Sequence, residues 1–425
     1  MAIRYQINRL TGDGVNPFVA GDVPLLEVSL SNAMSGPDSL SASFAPGQAQ
    51  DWVSLVTEGD TAIVALDGAT VVNATLVDSV RRLPDGGASI VGVGFTAYPD
   101  AQPYRSERAF IQADPSALVK HCWQHVQSYP DCNLGVAVDA PATPVRLGKA
   151  PRFSLKPYSD MVNLRKAQLA TAKTKEAAAK RSATASGATQ AQIDAYAAAR
   201  RITAAAATAV TAAAAVLKQK TAEQARIPED NKPYVLAWYE TQDLGRKWNE
   251  LADTGDLDYR MSFTLSRDGA LLPRLVMGRP LGRQRTDVRL VAGENIFDLD
   301  GLETKRTNRF SDYLVVGAGE GAAALRQFSA HRSGTLGRCA VVVDQAINSK
   351  TTLSTRLSQL TQAYDPEPGL TSFSSYESSL QLGDTVWVSM PRTGTLAGLD
   401  QWVRVLTITI NPATGLGTYA VQRQN

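Results

Sequence analysis

The chain is poor in the residues that most often carry chemistry. Its 425 residues include only three cysteines, Cys122, Cys132 and Cys339, and three histidines, His121, His125 and His331. An odd, sparse cysteine set argues against a disulfide framework and fits synthesis in a reducing cytoplasm. Three histidines leave few possible bases for a Ser/His/Asp or Cys/His site. Charge of one sign is also scarce: 43 Lys and Arg stand against 41 Asp and Glu, a formal charge of +2. A dedicated nucleic-acid binder carries a one-sided excess, so composition argues against that class. The near balance also lets copies of the chain pack together without large self-repulsion. No uninterrupted apolar run reaches the roughly 18 residues that span a bilayer. The nearest, Ala204–Leu217, is broken by Thr208 and Thr211. Met1–Leu10 alternates like a strand and contains no apolar stretch of signal-peptide length. The expectation is a soluble protein with no membrane-spanning segment.

What the chain has is a contrast. Between Asn163 and Ile227 it is built almost wholly from Ala, Thr, Lys, Gln and Arg, and close to half of Ala167–Leu217 is Ala. Alanine is the strongest helix former. A first helix is predicted from a cap at Ser159 or Asp160 to about Ser182, with a break at Ser186-Gly187. Thr189 with Gln192 makes a capping box for a second helix, which Pro228 ends. That helix would be roughly 55 Å long at ~1.5 Å per residue. The two helices around a glycine turn form an antiparallel hairpin. Each alanine buries little area, so the hairpin gains only modest stability from its own contact.

On both sides the pattern is β. Thr61–Leu66, Asp67-Gly68 and Thr70–Val77 read as a hairpin, and Arg82–Gly87 as a second turn before Ala88–Phe95. Pro115–Gln127 reads as a helix capped by Asp114, with Leu118, Val119, Cys122, Trp123 and Val126 on one face. Asp243–Asp253 reads as another, and Leu353–Tyr364 as a third. The last third alternates in Leu382–Ser389 and Trp402–Ile410. The fold class is therefore mainly β (α+β): barrel-like β domains with small helices and an inserted long Ala-rich helical hairpin. The expected organisation is an N-terminal barrel-like domain over residues 1–113, a small α/β segment over 114–160 and the hairpin over 161–228. Residues 229–280 then continue the interrupted domain, and 281–425 form a C-terminal β-rich region.

Four constellations could carry chemistry. Tyr313–Ala322 runs a strand into G-x-G-x-x-A at Gly317, Gly319 and Ala322, and a second strand ends at Asp344. This approaches a dinucleotide fingerprint, with pyrophosphate on a helix N-terminus and Asp344 on a ribose hydroxyl. The would-be helix Ala322–Ala330 is short, however, and no β/α alternation completes the sheet. A glycine-rich β-loop is the simpler reading. His121 and His125, at i and i+4 beside Cys122 and near Cys132, have a spacing that can bind zinc. No Glu completes H-E-x-x-H, and Cys122 and Trp123 suit the helix's buried side. Asp253, Asp256 and Asp258 could hold a cation or form a solvated turn. Arg279, Arg283, Arg285 and Arg289 could line a channel facing DNA, with a solvated or subunit-facing stripe as the default, and Lys166–Arg181 is a further positive helix face that suits solvent or a partner surface equally. None of these is strong enough to assign a catalytic, cofactor or metal residue, and no cofactor is expected.

Two segments carry a resemblance. Trp123-x-x-x-Gln127 followed by Tyr129–Gly135, and Pro233–Ala252 with Leu257–Arg260 after it, resemble minor tail proteins of long-tailed actinobacteriophages. The likeness covers most of the chain outside the Ala-rich arm, which departs from the usual pattern. The resemblance implies a tail hub, similar to the baseplate hub of contractile phages. Three copies would form a ring below the distal tail protein, closing the tail tube and adapting sixfold to threefold symmetry. It further implies contact with the tape measure protein and with tail fibres or other tip proteins, possible contact with DNA in the channel, and a place at the virion tail tip. It implies no enzymatic activity. The alternative class is a nucleotide-dependent oxidoreductase using the Gly317-Gly319-Ala322 loop. A tail-associated hydrolase is disfavoured, since the chain ends at Asn425 soon after its last β cluster.

Overall fold

A computed structural model describes residues 3–228, 231–241, 243–299, 302–303, 310–319, 321–329, 337–345, 347–362, 369–391 and 398–424. They form two compact units, one of residues 1–147 with 234–425 and one of residues 148–233.

The first unit opens with strands β1 (Ile3–Arg9), β2 (Phe18–Ala20), β3 (Leu26–Ala33) and β4 (Ser39–Phe44), a short helix α1 (Ala49–Val53), then β5 (Thr61–Asp67), β6 (Thr70–Arg82) and β7 (Ala88–Gly94). The Asp67-Gly68 turn behaves as the sequence predicts. Asp67 pairs with Thr70, and Gly68 takes φ +60°, which costs a residue without Cβ nothing. The strands pair in the order β3-β4-β7-β6-β5-β1-β2. Their inward positions, Ile7, Leu30, Leu40, Phe44, Ile63 and Ile90, fill one core. The Val23 N–H donates to the Tyr5 carbonyl at 3.0 Å, extending the β1–β2 pairing. No strand ladder among the described residues closes the sheet into a barrel.

Next come β8 (Glu107–Phe110), α2 (Pro115–Gln127) and β9 (Ala137–Val138). The α2 boundaries follow from its cap: Asp114 accepts the Ser116 N–H at 3.0 Å, and Pro115 opens the first turn.

The second unit is the hairpin, α3 (Lys156–Ala183) and α4 (Gln190–Ala225). Helix α3 starts before the expected caps at Ser159 and Asp160. Pro157 lies in its first turn, where a missing N–H costs nothing, and the Ser154 hydroxyl accepts the Lys156 N–H at 3.2 Å. The capping box at Thr189 and Gln192 forms. At 36 residues, α4 is about 54 Å long. Its covered positions include Tyr196, Ala199, Thr203, Ala206, Val210, Ala213 and Leu217, spaced alternately three and four apart. On α3 the same spacing joins Leu169, seven residues after the covered Val162, to Ala172, Glu176, Ala179 and Ala183. That rhythm keeps one face of each helix on its neighbour along the whole pair. By length and composition α4 is also apolar enough to cross a bilayer, with mean hydropathy 1.3 in its most apolar window. The expectation of no membrane-spanning segment did not foresee this; alanine supplies the hydropathy.

Beyond the hairpin the first unit resumes with β10 (Tyr234–Ala237), α5 (Leu244–Gly255), β11 (Asp258–Leu265) and β12 (Leu271–Gly278). Strand β10 pairs antiparallel with β8, and β12 pairs parallel with β9. Helices α2 and α5 bring Trp123 and Trp248 edge to face, 6.0 Å between ring centres, in a core shared with Leu118, Val126, Leu251 and Leu275. Residues on either side of the insertion thus build one interior.

The remaining elements are β13 (Gln284–Val291), β14 (Ile296–Leu299), β15 (Leu302–Glu303), β16 (Asp312–Val316), β17 (Arg326–Phe328), β18 (Cys339–Val343), α6 (Lys350–Gln362), β19 (Gly369–Leu370), β20 (Ser372–Ser375), β21 (Thr385–Met390), β22 (Leu399–Ile410) and β23 (Gly417–Arg423). Strands β14, β20, β23 and β22 continue the N-terminal sheet through β22, whose Thr407–Ile410 pair antiparallel with Leu30–Ala33 of β3. With β13 and β21 this makes one thirteen-stranded sheet. A separate small sheet, β17-β16-β18, packs Tyr313 and Val315 against Leu353 and Leu357 of α6. The fold is α+β, with a large, mostly antiparallel sheet and a long helical hairpin.

Candidate functional sites

The glycine-rich loop does not form a dinucleotide site. Strand β16 leads into a single 3-10 turn, Gly321–Ala323, and then into antiparallel β17, where the fingerprint needs a helix. Two loop amides are spent within the chain: Gly317 N–H donates to Leu325 O and Ala318 N–H to Ile347 O, both at 2.7 Å. A Cβ on Gly317 would lie 2.4 Å from Ile347 O, and one on Gly319 (φ +115°) 2.7 Å from Ala323 O. These glycines permit close approach of the chain to itself. Asp344 terminates β18, with its N–H on Val316 O at 2.8 Å. Ala330 and residues 332–336, on which part of the fingerprint argument rested, lie outside the described residues, as does His331.

The two helical histidines do share a face, with ring centres 6.0 Å apart. Their nitrogens serve the fold. His121 Nε2 is 2.9 Å from the Tyr104 hydroxyl, and His125 Nε2 accepts the Arg105 N–H at 3.1 Å. That bond requires His125 to be neutral at Nε2. Burial, then the charge of Arg108, holds His121 below the usual imidazole range; burial, then Arg105, does the same for His125. Cys122 faces the interior, where burial pushes its thiol up to about 12. Cys132 is instead placed near Tyr98. Among the described residues no three His, Cys, Asp or Glu side chains are grouped to hold a metal.

The acidic trio is divided among three arginines. Asp253 faces Arg356 at 3.9 Å, Asp256 pairs with Arg279 at 3.0 Å, and Asp258 takes both Nη atoms of Arg404. Separate cationic partners remove the case for one shared metal ion. The arginine run is likewise not one stripe. Arg285 is only 5% exposed, bonded to Asp287 at 2.8 Å, to Asp384 at 3.3 Å and to Ser379 O at 2.8 Å. Its hydrogen bond pulls the Asp287 carboxyl down to about 2. Arg285 therefore clamps the start of β13 to the loop before β21 and is withdrawn from any channel lining. Arg283 and Arg289 are exposed. The sequence reading missed Arg404 and Asp384, since the alternating patterns around both read only as strand and turn.

No known family model and no curated protein sequence matches this chain. Solved structures do. A 43 kDa tail protein of prophage MuSo2 from Shewanella oneidensis aligns over 99% of this chain and 98% of its own, with TM-score 0.52 and 12% identity. Prophage tail protein gp18 from Listeria monocytogenes aligns over 100% of this chain and 95% of its own, with TM-score 0.50 and 8% identity. From end to end, the chain shares the fold of these two prophage tail proteins.

Proposed function

We propose that this chain is a structural protein of a bacteriophage tail, and that three copies form a hub ring at the tail tip. The observation that carries the reading is the end-to-end fold likeness to two prophage tail proteins, at a chain length close to theirs. In this reading the ring closes the tube below the distal tail protein, meets the tape measure protein and supports fibres or other tip proteins. The protein acts by position and catalyses nothing. The hairpin is a coiled coil that engages a neighbouring tip component.

Surface chemistry supports an assembling chain. Trp238 and Tyr239, 62% and 50% exposed, form an edge-to-face pair within one of the segments that carry the phage resemblance. Phe328, Val341 and Val343 line the uncovered face of the small sheet, and Phe297 meets Tyr376 at the surface. Exposed apolar groups of this kind mark association surfaces, and aromatic residues dominate such interfaces. Native mass spectrometry of the purified protein should give a trimer, and electron microscopy of particles with this chain labelled should place it in a ring at the distal tail. A strict monomer that is absent from particles sinks the proposal.

A further inference from the structure

A cleft of about 400 Å³ opens between the β3–β4 turn, the start of β6, β11 and the β22–β23 pair. Its lining combines Val72, Phe263 and Ile408 with two polar groups that the fold leaves incomplete. Asp38 is 5% exposed; one carboxylate oxygen accepts the Ala33 N–H at 2.8 Å, and no ion pair reaches it among the described residues. Among the described residues Arg260 has no ion pair, and its buried Nε–H has no acceptor. Both line the cleft, yet no ion pair links them. A buried carboxylate without a cation and an arginine without an anion, both lining one space, are each costly unless something completes them. The volume lies in the range of small-molecule sites, which are mostly apolar with a few placed polar groups.

We propose that this cleft binds an aliphatic ammonium group that also carries an acceptor oxygen, the cation on Asp38 and the oxygen on the Arg260 guanidinium. The stem lies against Val72, Phe263 and Ile408. The same chemistry comes from two sources: a free amino acid, or a lysine residue of a neighbouring chain in the assembled tail, with its main-chain carbonyl as the acceptor. This assignment stands apart from the hub reading, because the cleft is formed within one copy.

The test uses the full-length protein and calorimetric titration with 5-aminovalerate, pentylamine and valerate. 5-Aminovalerate should bind at least tenfold more tightly than either single-ended analogue. Asp38→Asn, which keeps an oxygen for the Ala33 N–H, should remove that advantage with the melting curve still cooperative. Thr70→Trp, at the lining, should block binding without touching either polar group. If a lysine is the natural occupant, carbodiimide treatment of the assembled protein should join Asp38 to a lysine of another chain. Equal binding of all three probes, unchanged binding by Asp38→Asn, or neither binding nor cross-link overturns the assignment.

Discussion

Arg404 grips Asp258 with both arms of its guanidinium, Nη1 donating to Oδ1 at 3.2 Å and Nη2 to Oδ2, across 146 residues of sequence. The same Nη2 donates to Leu281 O at 2.9 Å, and Asp258 accepts the Leu281 N–H at 2.9 Å. The node ties β22 to the start of β11 and to the chain leaving β12. With side chains 14% and 21% exposed, the pair is screened far less than a surface one. Arg404→Ala leaves a largely buried carboxylate without its cation, and should cost about 3 kcal/mol. Arg404→Lys should recover only part of this, because an ammonium cannot make the two-pronged contact. Urea unfolding of the three proteins measures both; equal midpoints would remove the node from the stability of the fold.

Asp38 sets a pH dependence. Burial raises its carboxyl to about 7, against an ordinary value near 3.8. The folded state therefore holds this proton more tightly than the unfolded chain. Its contribution is fully present below about pH 4 and is lost as pH rises through 7. Asp38→Asn should lose that component, so the variant should gain stability relative to the parent between pH 4.5 and 8. Parallel melting curves of parent and variant across that range would refute the linkage.

The hairpin depends on small side chains where its helices meet. Ala172 and Ala213 are the buried alanines of α3 and α4. Leucine at either place lowers helix propensity slightly and overfills the seam, at a cost of about 1–3 kcal/mol. Ala172→Leu and Ala213→Leu should therefore lower the stability of the hairpin, read by hydrogen exchange of α3 and α4 amides. The control Ala207→Leu, at an exposed position, should leave exchange unchanged.

Gly317 separates structural from cofactor use of its loop. Gly317→Ala must displace Ile347 O and should destabilise the small sheet by about 1–3 kcal/mol. Titration of the parent protein with NAD, followed by tryptophan fluorescence, should show no saturable change. Saturation would restore the oxidoreductase alternative.

The local elements were legible because their causes are local. Asp114 and Pro115 fix where α2 starts, Thr189 and Gln192 fix α4, and Asp67-Gly68 fixes the β5–β6 turn, each through interactions a few residues long. The seam rhythm of the hairpin was present in the sequence but hidden, since alanine fills inward and outward positions alike. The sites were less legible. His121 and His125 share a face as their spacing implies, but only the neighbouring Tyr104 and the Arg105 amide show that their nitrogens are committed. Gly317 and Gly319 look the same in sequence whether they admit a phosphate or another strand.

The amino-acid sequence by itself determined an Ala-rich helical arm set within β structure, because helix propensity and capping act through neighbours along the chain. Tertiary structure alone decided that Ser31 and Thr409, 378 residues apart, meet across one sheet at 3.1 Å, and that Asp38 and Arg260 line one cleft. Those pairings follow from which strand edges and apolar faces can be covered together. That choice is made over the whole folded chain, and no short segment encodes it.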